Sequence, residues 1–153
     1  MSALYSFLHP IKTTVEKEVV ISDRFVQMDD EGNPVLDEEG RTIPTPFKIR
    51  PMTQEEMDSL VKKSTKTVRV KGQQEEHFDG LEFNRRLIVA ATVNPSFSAT
   101  ELCDACGVVS PLLVPVKMLL PGEYKKLLAA ITELNGISDP DDKKDDEDSE
   151  EKN

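Results

Sequence analysis

The stretch PGEYKKLLAAITELNG is the strongest structural signal in the sequence. Its apolar and aromatic side chains recur at the spacing of one helical face: Tyr124, Leu127, Leu128, Ile131 and Leu134. Asn135-Gly136 is a C-terminal capping signal, so we predict a helix from Gly122 to Asn135. Such a face must pack against something, and in most small domains it packs into the core; part of it can also stay open for a partner.

A sharp change of composition follows this helix. After Ile137 the sequence continues as SDPDDKKDDEDSEEKN, without an apolar residue. A segment that buries nothing cannot offset the entropy lost on ordering, so we predict a disordered acidic tail over residues 138–153. We expect one domain over 15–137, preceded by an apolar N-terminal segment over 1–14, because the length suits a single hydrophobic core.

The first half of that domain has the pattern of a β-hairpin. The residues VEKEVVIS alternate in polarity and are rich in β-branched side chains, so a strand is predicted over 15–22, with a second over 46–50. Turn residues fill the interval 29–45, which we interpret as a long hairpin connection. The side chains expected on the shared buried face are Val19, Ile21, Phe47 and Ile49.

Helices and one more strand are predicted further along. Thr53 with Glu56 forms a capping box for a helix ending near Ser64, and residues 65–71 then form a third short strand or an exposed edge. Asp79 caps a helix through Thr92.

A shorter helical region is expected beyond Asn94-Pro95. Ser98 with Glu101 has the form of a second capping box, for a helix that Gly107 ends. Residues 110–120 are predicted to be helical but irregular because of two prolines. The predicted fold class is therefore α+β: about three short antiparallel strands followed by about four helices.

Charge and cysteine usage exclude several function classes. The formal net charge of −10 disfavours nucleic acid and anionic membranes, whose binding depends on neutralising phosphates. No window approaches the roughly 18 apolar residues of a membrane span, and MSALYSFLHPIK lacks the order of a secretory signal. Cys103 and Cys106 are too few and too close for a secreted disulfide framework, which fits a reducing cytoplasm.

No catalytic, cofactor or metal site is predicted. The pair Cys103 and Cys106 lacks a second CxxC or a nearby histidine, so two buried helix cysteines are favoured over a redox pair or zinc site. The acidic turn at 29–33 has its glycine at the wrong offset for a calcium loop. His9 and His77 have no adjacent nucleophile and are assigned no role.

Two features are candidates for binding another protein. The basic stretch between Lys62 and Lys71 can dock an acidic partner or the chain's own tail, although a cationic edge that resists aggregation is the simpler interpretation. The apolar N-terminal stub, which Pro10 ends, needs a partner surface. Our candidate partner-binding residues are Leu4, Phe7, Leu8, Met118, Leu119, Leu120, Tyr124, Leu127, Leu128, Ile131 and Leu134.

Five segments, taken in order, resemble the tail assembly chaperones of phages and defective prophages of Bacillus-type hosts. They are SFLHP before a strand, SDRF leading into an acidic Gly-Asn-Pro turn, PFKIRPMTQEE, KKSTKTVRVKG and KMLLPGEYKKLLAAITELNG. The sequence departs from the family pattern where Pro111 and Pro115 interrupt a helix, and its acidic tail is longer.

This resemblance implies a non-virion protein that binds the tape measure protein in the host cytoplasm. It would keep that protein soluble and help the tail tube protein assemble around it, and the resemblance implies no enzymatic activity or cofactor. In some members a programmed frameshift extends the C-terminus. A homo-oligomer is left open, and the alternative from another class is an acidic regulatory adaptor or nucleic-acid mimic acting through the tail.

Overall fold

The computed structural model of the protein describes residues 3–11 and 15–137. The predicted disordered tail at 138–153 therefore lies outside the described residues. In chain order the elements are α1 (Leu4–Leu8), β1 (Lys17–Val19), β2 (Phe47–Ile49), α2 (Gln54–Lys63), β3 (Thr65–Val70), β4 (Gln73–Phe78), α3 (Gly80–Ala91), β5 (Thr92–Asn94), α4 (Thr100–Cys106), a 3-10 turn (Pro111–Leu113), α5 (Val114–Met118) and α6 (Pro121–Leu134). The predicted α+β class is confirmed.

The central sheet has three antiparallel strands in the order β1-β2-β5. Val19 lies opposite Phe47, as the hairpin prediction requires. Phe47 and Ile49 are fully covered, Ile21 is buried and Val19 is half-buried. The predicted buried face of the hairpin is therefore confirmed.

The identity of the sheet's third strand was predicted wrongly. Residues 65–71 do contain an extended strand, β3, but it pairs with β4 in a separate two-stranded hairpin. The third strand of the central sheet is β5, where Thr92 lies opposite Ile49. Thr92 was predicted to be helical, yet its backbone is extended, because it pairs with Ile49 of β2 instead of continuing α3.

The long connection between β1 and β2 is a hairpin built from two similar turns. Asp29 Oδ1 accepts two backbone N–H groups at 2.9 Å, and Asp37 Oδ1 does the same eight residues later. Each turn is completed by a glycine with positive φ, Gly32 and Gly40. The carboxylates thus organise their own backbone, as the hairpin interpretation of this acidic stretch expects.

The caps of α2 and α3 are confirmed. Thr53 Oγ1 accepts the backbone N–H of Glu56 at 3.2 Å, while the Glu56 carboxylate accepts that of Thr53 at 3.0 Å. Asp79 Oδ1 accepts two N–H groups from the first turn of α3, at 3.1 Å each. Both helices therefore begin where the sequence places them.

The second predicted capping box is wrong. Helix α4 begins at Thr100 with Ala99 at the N-cap, and no side chain caps it. The reason is a preceding turn, in which Ala99 N–H donates to Ser96 O at 3.0 Å, so that the N-cap lies one residue beyond Ser98. Gly107, at φ 68°, ends α4 as predicted.

The irregular region before the last helix is confirmed. Pro111 opens the 3-10 turn, and Ser110 Oγ accepts the N–H of Leu112 at 3.3 Å. Pro115 lies in the first turn of α5, where its missing N–H breaks no helical hydrogen bond. Two short helical pieces therefore replace one continuous helix.

Helix α6 packs against α3 and β1, so the core lies between the central sheet and the helices. Among the described residues, no helix is both long and apolar enough to cross a membrane. The buried apolar side chains are Ile21, Phe47, Ile49, Leu60, Leu87, Ile88, Ala91, Phe97, Cys103, Val114, Leu119, Leu127 and Ile131.

Candidate partner-binding surfaces

The structure divides the predicted binding residues of the C-terminal region into three classes. Leu127 and Ile131 are wholly covered and Leu119 is 7% exposed, so these side chains belong to the core. Leu120 is 53% exposed at the corner before α6. The half-buried members, which pack at the edge of the core, are Met118, Tyr124, Leu128 and Leu134.

Helix α1 holds the other predicted binding residues. It buries none of its residues, and the exposed fractions are 59% for Leu4, 80% for Phe7 and 65% for Leu8. His9 ends the helix by donating its backbone N–H to Tyr5 O at 3.0 Å, and its ring stacks on Tyr5. The helix therefore presents an apolar surface to solvent.

The exposed apolar character continues beyond α1. Ile11 is 85% exposed and Val15 is 62% exposed, and neither was among the predicted binding residues. Ile11 had no periodic context after Pro10, and Val15 was assigned to the predicted strand over 15–22. The N-terminal apolar surface is thus longer than predicted, within the described residues 3–11 and 15–16.

An ion pair fixes the corner that carries Leu120. Arg24 donates from Nε and Nη2 to the two carboxylate oxygens of Glu123, at 2.9 and 2.6 Å. Arg24 Nη2 also donates to Met118 O at 3.0 Å, and Glu123 Oε1 accepts the Leu120 N–H at 2.8 Å. These bonds tie the segment before β2 to the start of α6 and hold Leu120 outward.

The electrostatics of this corner follow from its hydrogen bonds. Glu123 is 7% exposed, and donation from Arg24 and then Ser22 lowers the pKa of its carboxyl from 4.5 to about 2. The same bond raises the pKa of the Arg24 guanidinium. Sequence analysis did not find this pair, because ninety-nine residues separate its members.

The β3–β4 hairpin is a surface that sequence analysis identified only in part. Lys71 and Gly72, at φ 53° and 79°, join the strands through a two-residue turn with both φ values positive. That Lys-Gly pair, lying between TKTVRV and QQEEHF, was the available signal for the missed strand β4. Apart from the half-buried Thr65, all residues of both strands are exposed.

A shallow groove of about 830 Å³ lies between this hairpin and the start of α3. The apolar side chains along it are Val68, Val70, Phe78 and Leu81. Phe78 contacts Phe83 of α3, with ring centroids 5.5 Å apart, and this contact joins the hairpin to the body.

The predicted basic stretch runs along the end of α2 and the strand β3. All of its cations are exposed, and in the described part of the chain none of them forms an ion pair: Lys62, Lys63, Lys66, Arg69 and Lys71. Both interpretations given above, an acidic partner and an edge that resists aggregation, agree with this exposure.

The cysteines lie together on α4. Cys103 is buried, with Sγ 3.6 Å from Phe97 O, and Cys106 is half-buried; both are free thiols. Across residues 3–11 and 15–137, no group of three or more His, Cys, Asp and Glu side chains is placed to hold a metal ion. His77 lies 3.2 Å from Glu75 on the exposed hairpin.

Comparison with known proteins decides the family. The family model described as "Phage XkdN-like tail assembly chaperone protein, TAC" matches residues 4–152. The chain belongs to this tail assembly chaperone family. The match includes the N-terminal helix and almost all of the acidic tail, so both are parts of the family sequence.

Relatives of this tail assembly chaperone occur in Bacillus subtilis strain 168. It is 37% identical to "Uncharacterized protein YqbN" and 33% identical to "Phage-like element PBSX protein XkdN", each over 138 residues, 88% of this chain and 85% of the relative. A crystal structure of YqbN is similar, with a TM-score of 0.65 at 29% identity, over 90% of this chain and 99% of that one. The resemblance seen in the sequence is confirmed.

Two of the segments that carried the resemblance meet in the chaperone's fold. Arg24 lies in SDRF and Glu123 in LLPGEYKKLL, so the ion pair joins them. Within PFKIRPMTQEE, Arg50 binds Glu56 at 3.1 Å and donates to Ala90 O. In contrast, exposed residues make up most of SFLHP and KKSTKTVRVKG.

Proposed function

We propose that this tail assembly chaperone binds the tape measure protein of its phage in the host cytoplasm, keeps it soluble and assists assembly of the tail tube around it. The proposal depends mainly on one observation, the exposure of α1. Phe7 and Leu8 are 80% and 65% exposed, and no residue of the helix is buried. A soluble domain seldom leaves such side chains adjacent to one another without a partner.

The length of α1 supports a binding role over a structural one. A helix of five residues is too short to be stable in water by itself, and α1 buries none of its residues, so packing on a partner surface would stabilise it. Burying one Phe and one Leu contributes roughly 3–6 kcal/mol before the cost of association. Association itself costs about 4–15 kcal/mol, so these two side chains give only weak binding without further contacts, which suits a chaperone that must later release its partner.

The C-terminal residues supply a second binding surface in the proposal. Exposed Leu120 and the half-buried side chains beside it offer contact area, whereas Leu119, Leu127 and Ile131 act from the core by holding α6 in place. The tail tube protein is the second partner proposed, since the tube forms around the tape measure protein while the chaperone is bound.

Co-expression with the tape measure protein of the same phage tests the proposal. We expect the wild-type chaperone to raise the soluble fraction of that protein and to co-purify with it. Phe7→Ser with Leu8→Ser should lose most of both effects while leaving the circular dichroism spectrum unchanged, because both side chains lie outside the core.

A matched control removes exposed apolar area elsewhere. Met28→Ser with Val109→Ser changes side chains that are 57% and 99% exposed, and this variant should behave as the wild type. Equal loss in both double variants, or no co-purification with the wild type, would remove the proposal.

The acidic adaptor alternative depends on residues 138–153, which lie outside the described residues. An adaptor that mimics nucleic acid would lose all binding when its carboxylates are converted to amides. Under our proposal that change lowers solubility but leaves capture of the tape measure protein in place.

A further inference from the structure

The β3–β4 hairpin is unusual for its lack of cover. Six residue pairs join its strands, and eleven of those twelve residues are exposed. The two strands form a sheet of their own, so in the described part of the chain both outer edges are unpaired. Two-stranded hairpins are only marginally stable in water, and an additional strand on an edge would stabilise this one.

Its two strands carry opposite charge. Strand β3 contributes Lys66 and Arg69, while β4 contributes Glu75 and Glu76. Within the described residues no ion pair links these cations to these carboxylates. One edge of the hairpin is therefore cationic and the other is anionic.

We propose that the hairpin joins copies of this chain head to tail, with β3 of one copy pairing antiparallel with β4 of the next. Each contact then brings the cations of one strand beside the carboxylates of another. It also covers part of Val68 and Val70, which are 42% and 40% exposed. The occupant of the edge is thus a second copy of the same chain.

Charge selects this arrangement over the symmetric ones. Pairing β3 with β3 would place lysine and arginine side chains beside each other, and pairing β4 with β4 would do the same with glutamates. Like charges on neighbouring strands are destabilising, whereas opposite charges are stabilising. The β3–β4 contact is the arrangement that places opposite charges on neighbouring strands.

A head-to-tail contact has a structural consequence. The contact uses two different surfaces, so every added copy leaves one free edge of each sign, and assembly continues as a row until it closes into a ring. If the proposed function holds, such a row suits a long partner, but self-association requires no tape measure protein and is tested without it.

Sedimentation velocity of the full chain over increasing concentration is the test. The wild type should sediment faster as concentration rises and more slowly as salt rises, because exposed charges are screened. Lys66→Glu with Arg69→Glu makes both edges anionic, and Glu75→Lys with Glu76→Lys makes both cationic. Each double variant should weaken association at least about tenfold.

Mixing the two double variants provides the decisive readout. An anionic β3 edge can pair with a cationic β4 edge, so an equimolar mixture should associate as the wild type does. Matched controls reverse exposed charges elsewhere, with Lys125→Glu and Lys126→Glu on α6, and should leave association unchanged. A mixture that stays monomeric, or a wild type that is monomeric at every concentration, would overturn the proposal.

The cationic edge can also bind the acidic tail, and a third variant distinguishes tail binding from β3–β4 pairing between copies. In this variant the carboxylates of residues 145–148 are replaced by amides in the full chain. We expect it to associate at least as tightly as the wild type. A monomeric tail variant, together with unchanged association of Glu75→Lys with Glu76→Lys, would assign the edge to the tail and refute β3–β4 pairing.

Discussion

Replacing Leu127 by alanine tests the division of the C-terminal apolar residues into core and surface. Leu127 lies on α6 and is wholly covered in the core, whereas Leu120, seven residues earlier, is 53% exposed. The sequence pattern places Leu127 on the apolar face of the last helix and Leu120 just before that helix, and both were predicted as partner-binding residues. The structure predicts that their alanine variants differ strongly in stability.

The expected magnitude follows from burial. Leu127→Ala removes three carbon atoms from a fully buried side chain, a transfer loss of about 2.4 kcal/mol at roughly 0.8 kcal/mol for each group. The cavity adds to this loss, so we expect the free energy of unfolding to fall by about 3 kcal/mol. Leu120→Ala removes about half as much buried area as Leu127→Ala and leaves no enclosed cavity. It should therefore lower the free energy of unfolding by about 1 kcal/mol or less.

Urea unfolding followed by circular dichroism at constant pH measures both changes. The Leu127→Ala midpoint should fall strongly while the slope with denaturant stays the same, and its melting temperature should drop by about 10 °C. Under the proposed function, Leu120→Ala should weaken capture of the tape measure protein, while its free energy of unfolding stays close to that of the wild type.

Two results would refute this reasoning. A cost below about 1 kcal/mol for Leu127→Ala would mean that its side chain is not enclosed by the core, and equal costs for the two variants would mean that burial does not separate them. Ile131→Ala, at a second fully covered position on α6, should reproduce the Leu127 result.

Two further predictions concern hydrogen bonds at helix starts. Glu123 has a folded-state pKa of about 2 against an ordinary 4.5, so its contribution to stability is complete above about pH 5 and is lost as the pH falls towards 2. Glu123→Gln should therefore reduce the pH dependence of the urea midpoint between about pH 5 and pH 2. An unchanged pH dependence would contradict the role of the ion pair with Arg24. Thr53→Ala should lower the free energy of unfolding by about 1 kcal/mol through loss of the α2 cap, whereas Ser98→Ala, at the position where a cap was wrongly predicted, should have almost no effect in the same assay.

Local rules predicted the helices well. The start of α2 was predicted from Thr53 with Glu56, and the start of α3 from Asp79. The end of α4 was predicted from Gly107. These predictions succeed because capping involves residues at most four apart. The hairpin of β1 and β2 was also predictable, since alternation defines the buried face of each strand. The family, too, was recognisable from the sequence segments.

Non-local pairing was not predictable in the same way. The third strand of the central sheet is β5, and nothing within Thr92–Asn94 distinguishes a helix end from a strand until β2 is beside it. The Arg24–Glu123 pair likewise depends on two segments that only the fold brings together. Such choices depend on which backbone and side-chain groups of distant segments lie within hydrogen-bonding distance after folding.

The apolar residues show most clearly what the sequence determines and what only the tertiary structure determines. The sequence by itself determined which side chains share a face of α6 and that the N-terminal segment is apolar, because both follow from spacing along one chain. Only the tertiary structure decided that Leu127 and Ile131 are enclosed while Phe7, Leu8 and Leu120 remain exposed. Burial is a property of what packs against a face, and the packing elements come from distant parts of the sequence.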